Sequence, residues 1–314
     1  MSGGTTEPVW VLADPRPGTA NQALGIAERL GAPFRIVWLG WSAWARVPWP
    51  WPTLAGLDST ARAGLVPPWP KLVISAGRRS APAALWLGRH GVRTVHAMRP
   101  GVGSARFDLL VLGRHDRPEP APNVLEIVGA CHRVSAAVLD RARREWAELA
   151  ALPAPRVAVL VGGPVRAEGL DRETASRLIP RVLRRFPEAS LLVTTSRRTG
   201  TEATALIAAA LADRPHHLFR WGDPGPNPYL GYLALADAIV VTGDSVSMLA
   251  EAAATTAPVF VATRERGRHE RMIESLMSAS RVRPLRLAER PFPVTPLDEA
   301  DRVAAAIRAR GLLD

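Results

Sequence analysis

The densest run of chemically useful side chains in this 314-residue chain is Thr242-Gly243-Asp244-Ser245, with Ser247 and Glu251 just beyond it. An apolar run ending at Val241 precedes it and the pattern of a short helix follows, so the polar residues stand at a strand-to-helix turn. A helix N-terminus presents unpaired N–H groups and about half a positive charge, and so holds phosphate without a metal. Ser245 is placed to cap such a helix and Ser247 falls in its first turn. Gly243 and Asp244 complete the turn, the glycine admitting an anion close to the backbone. Glu251 offers a fixed pair of acceptors for ribose hydroxyls. Standing alone, the motif reads as a capped helix followed by a solvated acid.

Other loops give it weight. ISAGRRSAP (74–82) and VTTSRRTGT (193–201) share a pattern: an apolar run ends in Ser or Thr, an arginine pair follows, and then a hydroxyl residue suited to capping the next helix. Arg197 and Arg198, after Ser196, can fork phosphate oxygens, as can Arg78 and Arg79 in the first half. Gly162 and Gly163 add a turn that a ligand can approach closely. The chain has no G-x-x-x-x-G-K-[ST], no complete dinucleotide fingerprint, no second histidine for HERMI (269–273) and no D-x-D pair. A bound diphosphate is therefore expected to be neutralised by arginine and helix dipoles, with no metal and no cofactor. For proton transfer, His115 beside Asp116 is the first candidate base and Asp14 the second. A loop histidine without a role is the competing reading of His115.

These side chains need a scaffold. Short runs rich in Val, Ile and Leu alternate with helical patterns: 9–13, 34–39, 71–75, 93–97 and 108–112, then 156–161, 190–195, 217–221, 238–242 and 258–263. That alternation predicts an α/β protein with two doubly wound parallel sheets, each presenting its ligand loops at the strand carboxyl ends. The echo between the loops suggests two related halves facing one cleft. The expected division is residues 1–145, 146–295, and a last helix, 296–314, packing back toward the first domain. Cys131 is the single cysteine, which excludes internal disulfides and a cysteine-based zinc site. The N-terminal stretch is neither basic nor apolar, and no run is long enough to span a membrane. A cytoplasmic protein is expected, peripheral at most on the inner face of the membrane. The net charge of +11 is carried almost wholly by arginine, with Lys71 the sole lysine; this reads as a compositional bias, and no nucleic-acid partner is expected. Trp38, Trp41, Trp44, Trp49 and Trp51 crowd one segment. The first three are spaced by three, so a helix would align them at a lipid headgroup boundary; burial in the core is the commoner fate of such a stripe.

Five segments together resemble the elongated-mitochondria fission family, whose bacterial members carry a glycosyltransferase description: GTANQALGIAERLG (18–31), ISAGRRSAPAAL (74–85), RFDLLVLGRHD (106–116), LVTTSRRT (192–199) and residues 227–261. The resemblance implies a B-type glycosyltransferase fold with two Rossmann-like domains. Nucleotide sugar would lie mainly on the second, at Ser245, Ser247 and Glu251. The acceptor would lie on the first, with Asn21 and Gln22 in its first loop. The chain departs from the family pattern in GTANQ, before Asn-Gln, and in VHAMRP (95–100). Two functions follow: a metal-independent hexosyltransferase using a nucleoside-diphosphate sugar and an unknown, lipid-linked or cell-envelope acceptor, or a membrane-peripheral adaptor that keeps the fold without turnover.

Overall fold

In the computed structural model the described residues are 7–101, 103–164, 169–263, 265–287, 292 and 294–314. They form two six-stranded sheets, in each of which every strand pairing is parallel. The first holds β1 (Val9–Ala13), β2 (Phe34–Trp38), β3 (Leu72–Ala76), β4 (Arg93–Ala97), β5 (Leu109–Gly113) and β6 (Val124–Ile127), in the order β2-β1-β3-β4-β5-β6. The second holds β7 (Arg156–Val161), β8 (Ser190–Thr195), β9 (His216–Phe219), β10 (Ala238–Val241), β11 (Val259–Val261) and β12 (Val282–Pro284), in the order β12-β11-β10-β7-β8-β9. The central strands β1, β3 and β7 are nearly unbroken apolar runs because helices cover both faces of a parallel sheet.

The helices are α1 (Pro17–Leu30), α2 (Ser59–Ala63), α3 (Ala81–Gly88), α4 (Ala136–Glu145), α5 (Arg172–Arg185), α6 (Thr201–Ala209), α7 (Tyr229–Leu235), α8 (Val246–Ala253), α9 (Arg268–Ser278) and α10 (Glu299–Ala309). Proline at its first position starts α1, and Gly31, at φ +69°, ends it in the left-handed conformation that only glycine adopts without strain. The chain divides into two compact units. The first runs to Arg133 and resumes at Asp298–Asp314; the second is Val134–Leu297.

In the first unit, Ala300, Val303, Ala304 and Ile307 of α10 are wholly buried with Ala23, Ile26 and Ala27 of α1 in the core below the sheet. Arg29 pairs with Asp298 at 2.8 Å, and Glu299 accepts the Val128 N–H at 2.5 Å. In the second unit α4 lies against α7, where a side chain on Gly231 would fall 2.5 Å from the Trp146 ring. The amphipathic connection is broken at Trp146, where the α-helix gives way to a 3-10 turn over Ala147–Ala151.

The tryptophan segment is not the helix its spacing predicts. Trp38 ends edge strand β2, Trp41 forms an isolated antiparallel bridge with Leu57, and Trp44 lies in a single 3-10 turn, Ala43–Arg46. Prolines at 48, 50 and 52 prevent a longer helix here. Among the described residues no helix is long and apolar enough to cross a membrane.

Candidate functional site

The second sheet reverses direction between β7 and β10: the chain runs outward to β8 and β9, then returns to the other side of β7 for β10, β11 and β12. In open α/β sheets such a reversal leaves a crevice at the strand carboxyl ends, where ligands bind. Three loops of this unit are tied together there. Thr242 Oγ1 accepts the Gly162 N–H at 2.7 Å, and the Asp244 carboxylate accepts the Gly163 N–H. From the β8 loop, the Thr199 hydroxyl sits 2.7 and 3.0 Å from the carbonyl oxygens of Gly162 and Val161, and accepts the Ser196 N–H at 2.9 Å.

The loops meet too closely for any side chain at the two glycines. A Cβ on Gly162 would lie 2.3 Å from the Asp244 carboxylate, and one on Gly163 1.9 Å from the Arg198 carbonyl. The close approach that the glycine pair permits is made by the protein's own loops.

The turn after β10 is ordered by its hydroxyls. Ser245 caps α8, its Oγ accepting the Met248 N–H at 3.4 Å, while Ser247 stands half-buried one residue into the helix. The Gly243 N–H donates to Thr263 Oγ1 at 2.8 Å, and that hydroxyl donates to Glu265 at 2.6 Å. Asp244 is only 6 % exposed, and its Oδ1 has no hydrogen-bond partner among the described residues. Arg198 turns toward it, with Nη2 4.0 Å from Oδ2, whereas Arg197 is exposed. Glu251 is buried and accepts from the Tyr229 hydroxyl at 2.6 Å. Burial, the Glu251 charge and that bond push the Tyr229 phenol well above its ordinary pKa.

His269 and Glu265 join the electrostatics of this end of the sheet, and the sequence pattern pointed to neither. Burial lowers the His269 pKa, against the charge of Asp244 and with that of Arg268 and Arg198. Burial raises that of Glu265, opposed by its bond from Thr263 and aided by Asp244. A signal for Thr263 was present: like Thr242, which directly follows β10, it closes a Val-rich run with a hydroxyl, two residues after β11. Among the described residues no cluster of three or more His, Cys, Asp or Glu is placed to hold a metal ion.

In the first unit the corresponding reversal lies between β1 and β3. Asp14, buried at the end of β1, is gripped by Arg16 through the backbone N–H at 2.8 Å, Nε at 2.9 Å and Nη2 at 2.8 Å. The hydrogen bond to Asp14, against partial burial and with the Asp14 charge, raises the Arg16 pKa. His115 is buried in the 3-10 turn Arg114–Asp116 that follows β5, with Nε2 3.8 Å from Asp116.

Asn21 and Gln22 lie inside α1 and not in a loop; Asn21 is half-buried and Gln22 buried, with Nε2 3.5 Å from the Gly18 carbonyl. Neither hydroxyl after the arginine pairs caps its helix. Ser80 donates back to the Ala76 carbonyl at 2.7 Å, and the N-cap of α6 is Gly200. Arg78 is exposed, and Arg79 lies 5.9 Å over the Trp41 ring.

The profile of the family described as Mitochondrial fission ELM1 matches residues 17–311. The Mitochondrial fission protein ELM1 of Arabidopsis thaliana is 31 % identical over 233 residues, which cover 66 % of this chain and 54 % of the plant protein; the chain thus spans about half the length of that relative. An uncharacterised protein of Rickettsia prowazekii is 24 % identical, with 96 % of this chain and 97 % of that protein covered.

Among solved structures, the UDP-GlcNAc 2-epimerase of Methanocaldococcus jannaschii superposes with a TM-score of 0.57 at 12 % identity, over 96 % of this chain and 99 % of that one. Os79 of O. sativa, solved with UDP, gives 0.56 at 13 % identity, over 97 % and 93 %. MurG of Acinetobacter baumannii gives 0.51 at 14 %, over 98 % and 92 %. At these identities the likeness is one of fold, the two-sheet α/β architecture of B-type glycosyltransferases and related epimerases. With its profile matched from α1 to beyond α10, the chain belongs to the mitochondrial fission ELM1 family.

Proposed function

We propose that the chain is a metal-independent glycosyltransferase that takes its sugar from a nucleoside-diphosphate sugar bound at the β7–β10 reversal of the second unit. One observation carries the reading: three strand-end loops are locked together beside the capped N-terminus of α8, with Arg198 turned inward among them. The α8 N–H groups and Ser247 would meet the diphosphate, and Arg198 would neutralise it in place of a cation. The open Oδ1 of Asp244 is an acceptor for a donor that a ligand brings. Glu251, held by Tyr229, would take the ribose hydroxyls. Os79, a neighbour in fold, was solved with UDP, which supports a nucleotide of this class. The family's fission description, which names no transfer reaction, favours a second reading, a binding protein without turnover.

Calorimetric titration of UDP and of GDP tests the site. Losing a charge-assisted hydrogen bond costs about 1.5–3 kcal/mol, so Arg198→Ala and Glu251→Ala should each weaken nucleotide binding about ten- to a hundredfold. Arg197→Ala should change little. Tyr229→Phe isolates the loss of the phenol bond. Unchanged affinity in both main variants, for a nucleotide that does bind, would place the site elsewhere; binding without sugar transfer would favour the second reading.

A further inference from the structure

The first unit carries a pocket of about 200 Å³ that the nucleotide reading does not use. Its walls are apolar, from Val47 and Trp51 to Leu85, and Arg78 and Arg79 stand among its lining residues. Three observations distinguish it from a fold in the surface. First, its lining tryptophans, Trp49 and Trp51, form an array with the neighbouring Trp44: the rings of Trp44 and Trp49 are 6.5 Å apart, those of Trp49 and Trp51 5.6 Å apart, and the Trp49 Nε1–H donates to the Trp44 carbonyl at 3.1 Å. Second, Trp44 is 61 % and Trp51 52 % exposed, so large rings that would ordinarily be buried face outward. Third, neither Arg78 nor Arg79 has a carboxylate partner among the described residues, so the protein leaves both charges unneutralised beside an apolar wall.

We propose that this pocket docks an anionic phospholipid of a bilayer, with part of one acyl chain against Trp49 and Trp51 and the phosphate at Arg78 and Arg79. Charge complementarity selects an anion, and the apolar lining selects a ligand with a hydrocarbon part. The size then selects the source. Sites that enclose a free small molecule run to roughly 300–1,000 Å³, so a pocket of about 200 Å³ takes only a segment of a ligand whose remainder stays in another apolar phase. Exposed indole rings suit that boundary, since their apolar body and polar N–H match the headgroup region. The proposal stands independently of the nucleotide site, which lies in the other unit.

Co-sedimentation with vesicles of phosphatidylcholine, alone and mixed with phosphatidylglycerol, tests it on the full chain, with tryptophan emission as a second readout. The expected result is binding to the mixed vesicles with a blue shift. The Arg78→Gln/Arg79→Gln variant should bind about thirtyfold more weakly, and Trp51→Ala should lose most of the shift. The charge-matched control Arg141→Gln/Arg144→Gln, on α4 of the other unit, should bind like the wild type. Equal losses in both arginine pairs would reduce the effect to net charge and overturn the proposal. So would absence of binding to the mixed vesicles, equal binding to both vesicle types, or an unchanged emission shift in Trp51→Ala. Saturation by inorganic phosphate alone, with vesicle binding abolished, would identify a free-anion site and overturn the lipid assignment.

Discussion

Asp244 sets the terms at the scale of single residues. It places a carboxylate beside a helix N-terminus, where the dipole favours negative charge, and one of its oxygens secures the Gly163 N–H while the other is left open. A second anion can enter beside it only if cationic charge stands between them, and Arg198, 4.0 Å away, is that charge. The same low-dielectric logic governs His96 in the first unit. It is wholly buried on β4, its Nδ1 2.7 Å from the Ser75 hydroxyl and its ring stacked on Phe107, with no partner for Nε2 among the described residues. Burial lowers its pKa from 6.5 to about 3. Because the folded value lies below the unfolded one, the unfolded chain binds more protons through that window. The His96 contribution is therefore present above about pH 6.5 and is lost as the pH falls toward 3, at a limiting slope of about 1.4 kcal/mol per pH unit. Urea unfolding at pH 7 and pH 5 should show the wild type losing more stability than His96→Asn over that interval. Equal losses would mean that His96 is protonated in the folded state.

Elements position these side chains through the places where loops touch. Gly163 is the clearest case, since its missing side chain lets the β7 loop lie on the Arg198 backbone and bring Asp244 and Arg198 to one place. Gly163→Ala should overpack this contact at a cost of about 1–3 kcal/mol and lower nucleotide affinity together with the melting temperature, both measured on the same preparation. Full stability in the variant would show that the loops separate freely. Ten of the twelve strands among the described residues are legible in the sequence as short runs built on Val, Ile, Leu or Phe, even where Arg or His interrupts them, as in β2, β4 and β9. The two that are not, Val124–Ile127 and Val282–Pro284, are short sheet edges carrying Glu126, Arg283 and Pro284, where one side of the ladder needs no partner. The candidate site was legible as strand-end loops, and Ser245 caps its helix as its type predicts. Its interlocking was not, because the bonds from Gly162 and Gly163 to Thr242 and Asp244 join residues some 80 positions apart, a separation that no local pattern encodes. The spacing of Trp38, Trp41 and Trp44 misleads for the opposite reason: a helical period survives in a segment that the end of β2 and the prolines beyond Val47 keep from being helical.

At the scale of the whole molecule the two sheets are not copies. Counted from its own first strand, the second has the order 3-2-1-4-5-6, whereas the first runs 2-1-3-4-5-6, so its reversal comes one strand earlier. The two arginine pairs consequently occupy different places, one following a strand at the reversal and the other a strand beside it. The chain closes by returning α10 to the first unit, where Ile307 and Cys131 are buried in one core. Burial, with the charges of Glu299 and Asp298, pushes the Cys131 thiol far above its ordinary pKa, so the folded unit holds it protonated and unreactive. Labelling by an aromatic disulfide reagent at neutral pH then reports opening of the first unit, since only the opened form presents a thiol that can ionise. Ile307→Ala removes wholly buried methyl groups between α10 and α1, for which about 2–5 kcal/mol is typical. If the last helix is integral to this unit, Cys131 labelling should accelerate about thirtyfold or more while nucleotide binding in the second unit is kept. A wild-type rate in the variant would mean that α10 can leave without opening the core around Cys131.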